Sequence, residues 1–99
     1  MAEHPLKVLD DIDPKLFNLT QQTQELALGE GVMPRKYKLL ISMALDTASG
    51  ATEGVRSLAQ MAMKAGASKE EIAETLRIVQ YISGTGSMFT ASRALKDLF

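Results

Sequence analysis

Apolar residues recur three and four positions apart along most of this chain, the spacing that places them on one face of a helix. Asp13-Pro14 reads as a helix start, with Asp as the cap and Pro at the first helical position. From there Leu16, Phe17, Leu19, Leu26 and Leu28 are expected to face a core, and Gly29-Glu30-Gly31 forms a loop. Pro34 opens a second helix whose clean stripe is Tyr37, Leu40, Ile41, Ala44, Leu45 and Ala48, broken at Ser49-Gly50. A third helix from about Ala51 presents Val55, Leu58, Ala59 and Ala62 and stops at Gly66, a residue suited to the position just past a helix end. Ser68 to Glu71 is a capping box. It opens a fourth helix with Ile72, Leu76, Val79 and Ile82 or Ser83 as its core stripe. Gly84-Thr85-Gly86 interrupts, and Met88 to Leu98 forms a last helix through Met88, Ala91, Leu95 and Leu98.

Met1 to Ile12 has no clean periodicity and reads as an N-terminal arm that orders on contact. No segment alternates with a two-residue period, so the expected fold is all-α: one small domain over residues 1–99, of about five helices, centred on an antiparallel pair around Ser49-Gly50. Met61 and Met63 are two apart and point in roughly opposite directions on a helix. The third helix is therefore expected to be apolar on more than one side and covered by a second subunit, the alternative being that the methionines fill gaps beside the core.

Composition narrows the chemistry. The 99 residues include no Cys and no Trp, and 45% are hydrophobic, so aliphatic residues, Ala and Met must build the core. Without Cys there are no disulfides, thiolate metal sites or thiol redox steps. The formal net charge of −1 argues against a nucleic-acid partner, which would call for a basic surface. Neither a charged-then-apolar leader nor a membrane-length apolar run is visible, so no membrane partner is expected and the expected location is cytoplasmic. No cofactor or metal pattern is present: Gly84-Thr85-Gly86 follows no strand, and reads as a helix break.

The stretch Ala62-Met-Lys-Ala-Gly66-Ala-Ser68-Lys-Glu-Glu71-Ile72-Ala-Glu-Thr-Leu76 resembles the carboxymuconolactone decarboxylase and alkylhydroperoxidase D-like family. The resemblance implies a small helical fold, assembly into homodimers, trimers or hexamers, and a thiol relay in one branch. That relay comprises a CxxC, a His four residues after it, and a Glu on the preceding helix. Counted from Gly66, and from Lys36-Tyr37-Lys38-Leu39-Leu40-Ile41 for the Glu, the relay positions here hold Leu39, Ala51, Gly54 and Leu58. None of these side chains moves a proton or attacks a peroxide. The decarboxylase branch keeps the His where Leu58 stands. Glu53 and Arg56 match parts of its pattern, Tyr81 to Gly86 matches its later Tyr-Gly-Pro element only at Gly84, and a late His of some relatives falls near Thr90. The single His of this chain, His4, lies in the arm.

The expectation is thus a family member without the peroxidase or decarboxylase residues, a non-catalytic oligomeric binding or scaffold protein with an apolar pocket around Leu39, Ala51, Gly54 and Leu58. An alternative is altered chemistry on a small carboxylate or lactone. Asp46 or Glu53 would then act as acid–base, and Arg56 or Lys38 would hold the anion. A lone carboxylate beside a helix turn is more often a cap or a surface pair. Arg35, Lys36 and Lys38, at the start of the second helix, form an anion site on one reading and a solvated basic turn or ion pair on the other. Ser42, Ser49, Ser57 and Ser83 have no His base within the pattern. A third possibility is an accessory subunit for a catalytically complete relative, joined through the arm and the third helix.

Overall fold

A computed structural model describes residues 4–99 as six helices: α1 (Lys7–Ile12), α2 (Pro14–Leu28), α3 (Arg35–Ser49), α4 (Thr52–Lys64), α5 (Lys69–Ser83) and α6 (Gly86–Leu95). No strand occurs among the described residues. Antiparallel α3 and α4 share the most extensive contact, and α5 and α6 pack across them. Gly50 makes the reversal possible: its φ of 80° is left-handed, and its N–H reaches back to the carbonyls of Asp46 and Thr47. The core comprises Leu39, Leu40 and Met43 from α3, Val55, Ala59 and Ala62 from α4, Ala67, Ile72 and Ala94. Thr47 is also fully buried, its hydroxyl donating to the Met43 carbonyl at 2.7 Å, so no polar group is left without a partner there.

Local signals place the helix ends well. The Asp13 carboxylate accepts from the Leu16 N–H at 3.1 Å. At α5 the capping box closes in both directions: Glu71 N–H donates to Ser68 Oγ at 3.0 Å, and Ser68 N–H donates to Glu71 Oε1 at 2.9 Å. The other Glu71 oxygen meets Lys36 Nζ at 3.1 Å, which ties the start of α5 to the first turn of α3.

Three expectations about faces are corrected. On α3 the clean stripe is not the core: Tyr37, Ile41 and Leu45 are exposed, and only Leu40 of that stripe is buried. The inward face is Leu39, Leu40, Met43 and Thr47, because the pairing with α4 turns the helix by roughly a third of a revolution from the stripe. On α2 no residue is buried, since this helix lies at the margin of the body and only Phe17, Leu28 and a few neighbours are half-covered. On α4, Met61 and Met63 both pack against the chain's own core, one from each flank of the helix, so they are no evidence for a second subunit.

The arm also differs from expectation. Its first three residues lie outside the described residues, but Lys7–Ile12 forms α1 and folds back on α2. The His4 ring stands edge-on to Phe17 at 5.7 Å, and its Nε2 lies 2.9 Å from Gln21 Nε2. A six-residue helix is too short to show periodicity, which is why the pattern did not reveal it.

Two outcomes follow for the capping box. Ser68→Ala should lower stability by about 1 kcal/mol in chemical denaturation. The Ser68 N–H first, and then Lys36, hold the Glu71 carboxyl below its usual range. A carboxyl depressed in the folded state adds stability above its unfolded pKa and loses it as pH falls through the folded value. Glu71→Gln should therefore be less stable than wild type at neutral pH, and the gap should close as the solution is acidified. A gap independent of pH would show that the Glu71 charge is not what the cap uses.

Candidate functional site

The four relay positions lie along the α3–α4 contact. Leu39 is fully buried, and Leu58 packs against the same cluster from the facing helix. Ala51 sits at the entry to α4 and Gly54 in its first turn, both half-buried. The main clefts lie elsewhere, and none is lined by any of the four. At this place Leu39 is fully enclosed and Leu58 packs on the core cluster. Leu39 and Leu58 make both sides of the contact aliphatic here.

Asp46 is drawn into this region in a way the spacing did not reveal. Its carboxylate stands over the first turn of α4, so close to Gly54 that a β-carbon built there would overlap Oδ2 and lie 3.1 Å from Cγ. Residue 54 is therefore compatible with this carboxylate position because it is glycine. A negative group at the amino end of a helix is favoured by the helix dipole, which accounts for the carboxylate where α4 has no side-chain cap of its own. A glycine inside a helix costs about 1 kcal/mol relative to alanine and marks either a close approach or no role. The approach is real, and its partner is Asp46.

The remaining candidates do not converge on Asp46. Glu53 is exposed. Arg56 turns away to the carboxyl end of α6, where its Nη1 donates to the carbonyls of Ala94 at 3.1 Å and Lys96 at 2.7 Å. The basic turn is likewise in structural use. Arg35 Nη1 and Lys38 Nζ donate to the carbonyls of Leu28 (3.4 Å) and Gly29 (2.8 Å), and Lys36 pairs with Glu71. These cations sit at the unfavourable end of α3, but two of them serve the favourable carboxyl end of α2. The pattern along one helix could not show this, because the acceptors belong to its neighbour.

Ser42 and Ser49 donate to the carbonyls of Lys38 and Asp46, and the exposed Ser57 and Ser83 have no imidazole beside them. The late-His position, Thr90, is buried at the wall of a shallow cleft of about 340 Å³ with Thr47, Ser49, Ser83 and Ser87. That wall is hydroxyl and backbone, with no charged side chain. Among the described residues no three His, Asp or Glu side chains cluster in a metal-binding arrangement. No described helix is long and apolar enough to cross a membrane.

Arg56→Ala should cost about 1.5–3 kcal/mol, the range for hydrogen bonds that involve a charged group, and should raise amide exchange in residues 94–98 before the rest of the chain. Equal exchange in both proteins would mean that the arginine does not hold this end of α6.

Comparison with known proteins matches this frame. The carboxymuconolactone decarboxylase family model aligns with residues 14–97. The fold also matches the crystal structure of an apo carboxymuconolactone decarboxylase family protein from Legionella pneumophila. The TM-score is 0.84 at 30% identity, over 92% of this chain and 81% of that one. Among curated proteins, none matches significantly. With a family alignment over most of its length and a matching fold, this chain belongs to the carboxymuconolactone decarboxylase family.

Proposed function

We propose that this chain is a non-catalytic member of its family, an oligomeric binding or scaffold protein in which the family's peroxidase and decarboxylase residues have been lost. The supporting observation is the complete burial of Leu39 with Leu58 packed beside it, at positions where the resemblance places the Glu and His of the relay. A relay needs a group that exchanges protons and a route for a small substrate to reach it. Leu39, Ala51, Gly54 and Leu58 offer neither, and the absence of Cys removes the thiol step.

Altered acid–base chemistry by Asp46, Glu53 and Arg56 has less support. The guanidinium that would hold a substrate carboxylate is bonded to α6, and Lys38 is bonded to the end of α2. Asp46 lacks a positive partner within ion-pair distance among the described residues.

The decisive assay incubates the purified protein with an alkyl hydroperoxide plus a thiol reductant, and separately with carboxymuconolactone. Neither should be consumed faster than in buffer. Turnover well above the uncatalysed rate in either assay would overturn the proposal. The packing claim has its own check. Leu39→Ala should destabilise the fold by about 2–5 kcal/mol, and Leu58→Ala by less, because a half-buried side chain leaves a smaller cavity. Near-wild-type stability for Leu39→Ala would mean that this position tolerates an opening.

A further inference from the structure

We infer that the hydroxyl-lined cleft where the ends of α3 and α5 meet the start of α6 binds a small neutral polyol, about the size of a monosaccharide. The site rests on the binding half of the reading above and gives it a place and a ligand class.

Thr47, Ser49, Ser83, Ser87 and Thr90 bring their hydroxyls to this one cleft. The Thr47 and Ser49 hydroxyls donate to the carbonyls of Met43 and Asp46 within α3. Ser87 and Thr90 differ. They are only 7% and 5% exposed, yet among the described residues neither hydroxyl has a hydrogen-bond partner, while no fully enclosed polar atom lacks one. The small part of each residue that remains accessible therefore includes its hydroxyl oxygen, and it opens on the cleft. A hydroxyl buried this far without a protein partner is costly unless a group from outside satisfies it.

Three helix ends select the kind of group. α3 closes at Ser49 and α5 at Ser83, so each leaves its last carbonyls without a helical partner. α6 opens at Gly86 with no side-chain cap on its first N–H groups. No charged side chain lines the cleft. A cation finds no carboxylate here, and an anion faces two unfavourable helix ends for one favourable one. Apart from threonine methyls, Ala48 is the only apolar side chain in the lining, so a hydrocarbon has little to pack on.

The hydroxyls of a neutral polyol suit every group present. Each can donate to a carbonyl of α3 or α5 and accept from Ser87, Thr90 or an N–H at the start of α6. The volume of about 340 Å³ lies at the small end of the range for ligand sites, which limits the occupant to one such molecule.

The test is an amide-resolved NMR titration with glucose, myo-inositol and erythritol, and separately with acetate and phosphate. At least one polyol should shift the amides of Ser49, Gly50, Gly86, Ser87 and Thr90 saturably. A handful of neutral hydrogen bonds corresponds to an affinity on the order of millimolar. Ser87→Ala and Thr90→Val each remove a hydroxyl and little volume. Because neither hydroxyl is bonded within the protein, both variants should keep the wild-type melting temperature and weaken binding about tenfold. If either fails to fold, Gly86→Leu is the second route. Position 86 lines the cleft, and beyond its chain neighbours no atom lies within 4 Å of where a β-carbon would stand, so leucine should fit the fold and block the ligand. No saturable shift from any of the three polyols would overturn the site. So would binding of acetate or phosphate in their place, or polyol binding unchanged in the variants. Failure of these titrations would defeat the cleft alone, and turnover in the assays above would defeat the non-catalytic reading alone.

Discussion

The contact between α3 and α4 organises the rest of this fold. Leu39, Met43 and Thr47 meet Val55, Ala59 and Ala62 with no residual exposure on either side. Two of the facing residues are alanines, so the helices approach closely, and dispersion contacts accumulate over a narrow, dense seam. The seam needs a chain reversal at its end, and the left-handed Gly50 provides it without the steric cost another residue would incur. The other elements attach to this pair through a few specific bonds. Glu71 and Lys36 join α5 to it, Arg56 holds the end of α6, and Arg35 and Lys38 gather the carboxyl end of α2.

The positions where relatives are expected to carry reactive groups lie along this same seam. A polar relay there would put ionisable groups between two tightly packed helices, and such groups are costly to bury without partners. Leucine at positions 39 and 58 places aliphatic side chains in this contact. Gly54 then leaves space against the first turn of α4, and the Asp46 carboxylate occupies it.

Much of the frame was legible from residues alone. Asp13-Pro14, Ser68 with Glu71, and the glycines at 50 and 66 marked helix ends that the structure keeps to within a residue or two. The family was legible from the run between Ala62 and Leu76. Of the candidate site, the side chains at positions 39, 51, 54 and 58 could be named, and so could their inability to react. The closeness of Asp46 to Gly54 was not legible, because it depends on how two helices are rotated against each other. The role of Arg56 was hidden for the same reason, since its acceptors lie 38 and 40 positions away.

Sequence by itself determined the local features: where helices start and stop, which positions carry no proton-transferring group, and which family the chain belongs to. Caps and turns act over three or four residues, so their physics is complete within a short window. Only the tertiary structure decided which apolar face turns inward. The Tyr37-Ile41-Leu45 stripe is the more regular pattern on α3, yet Leu39 and Met43 are the residues buried. Periodicity records that a face is apolar and does not specify whether the same chain buries it. On α3 that assignment came from the fit of its other face against the alanines of α4.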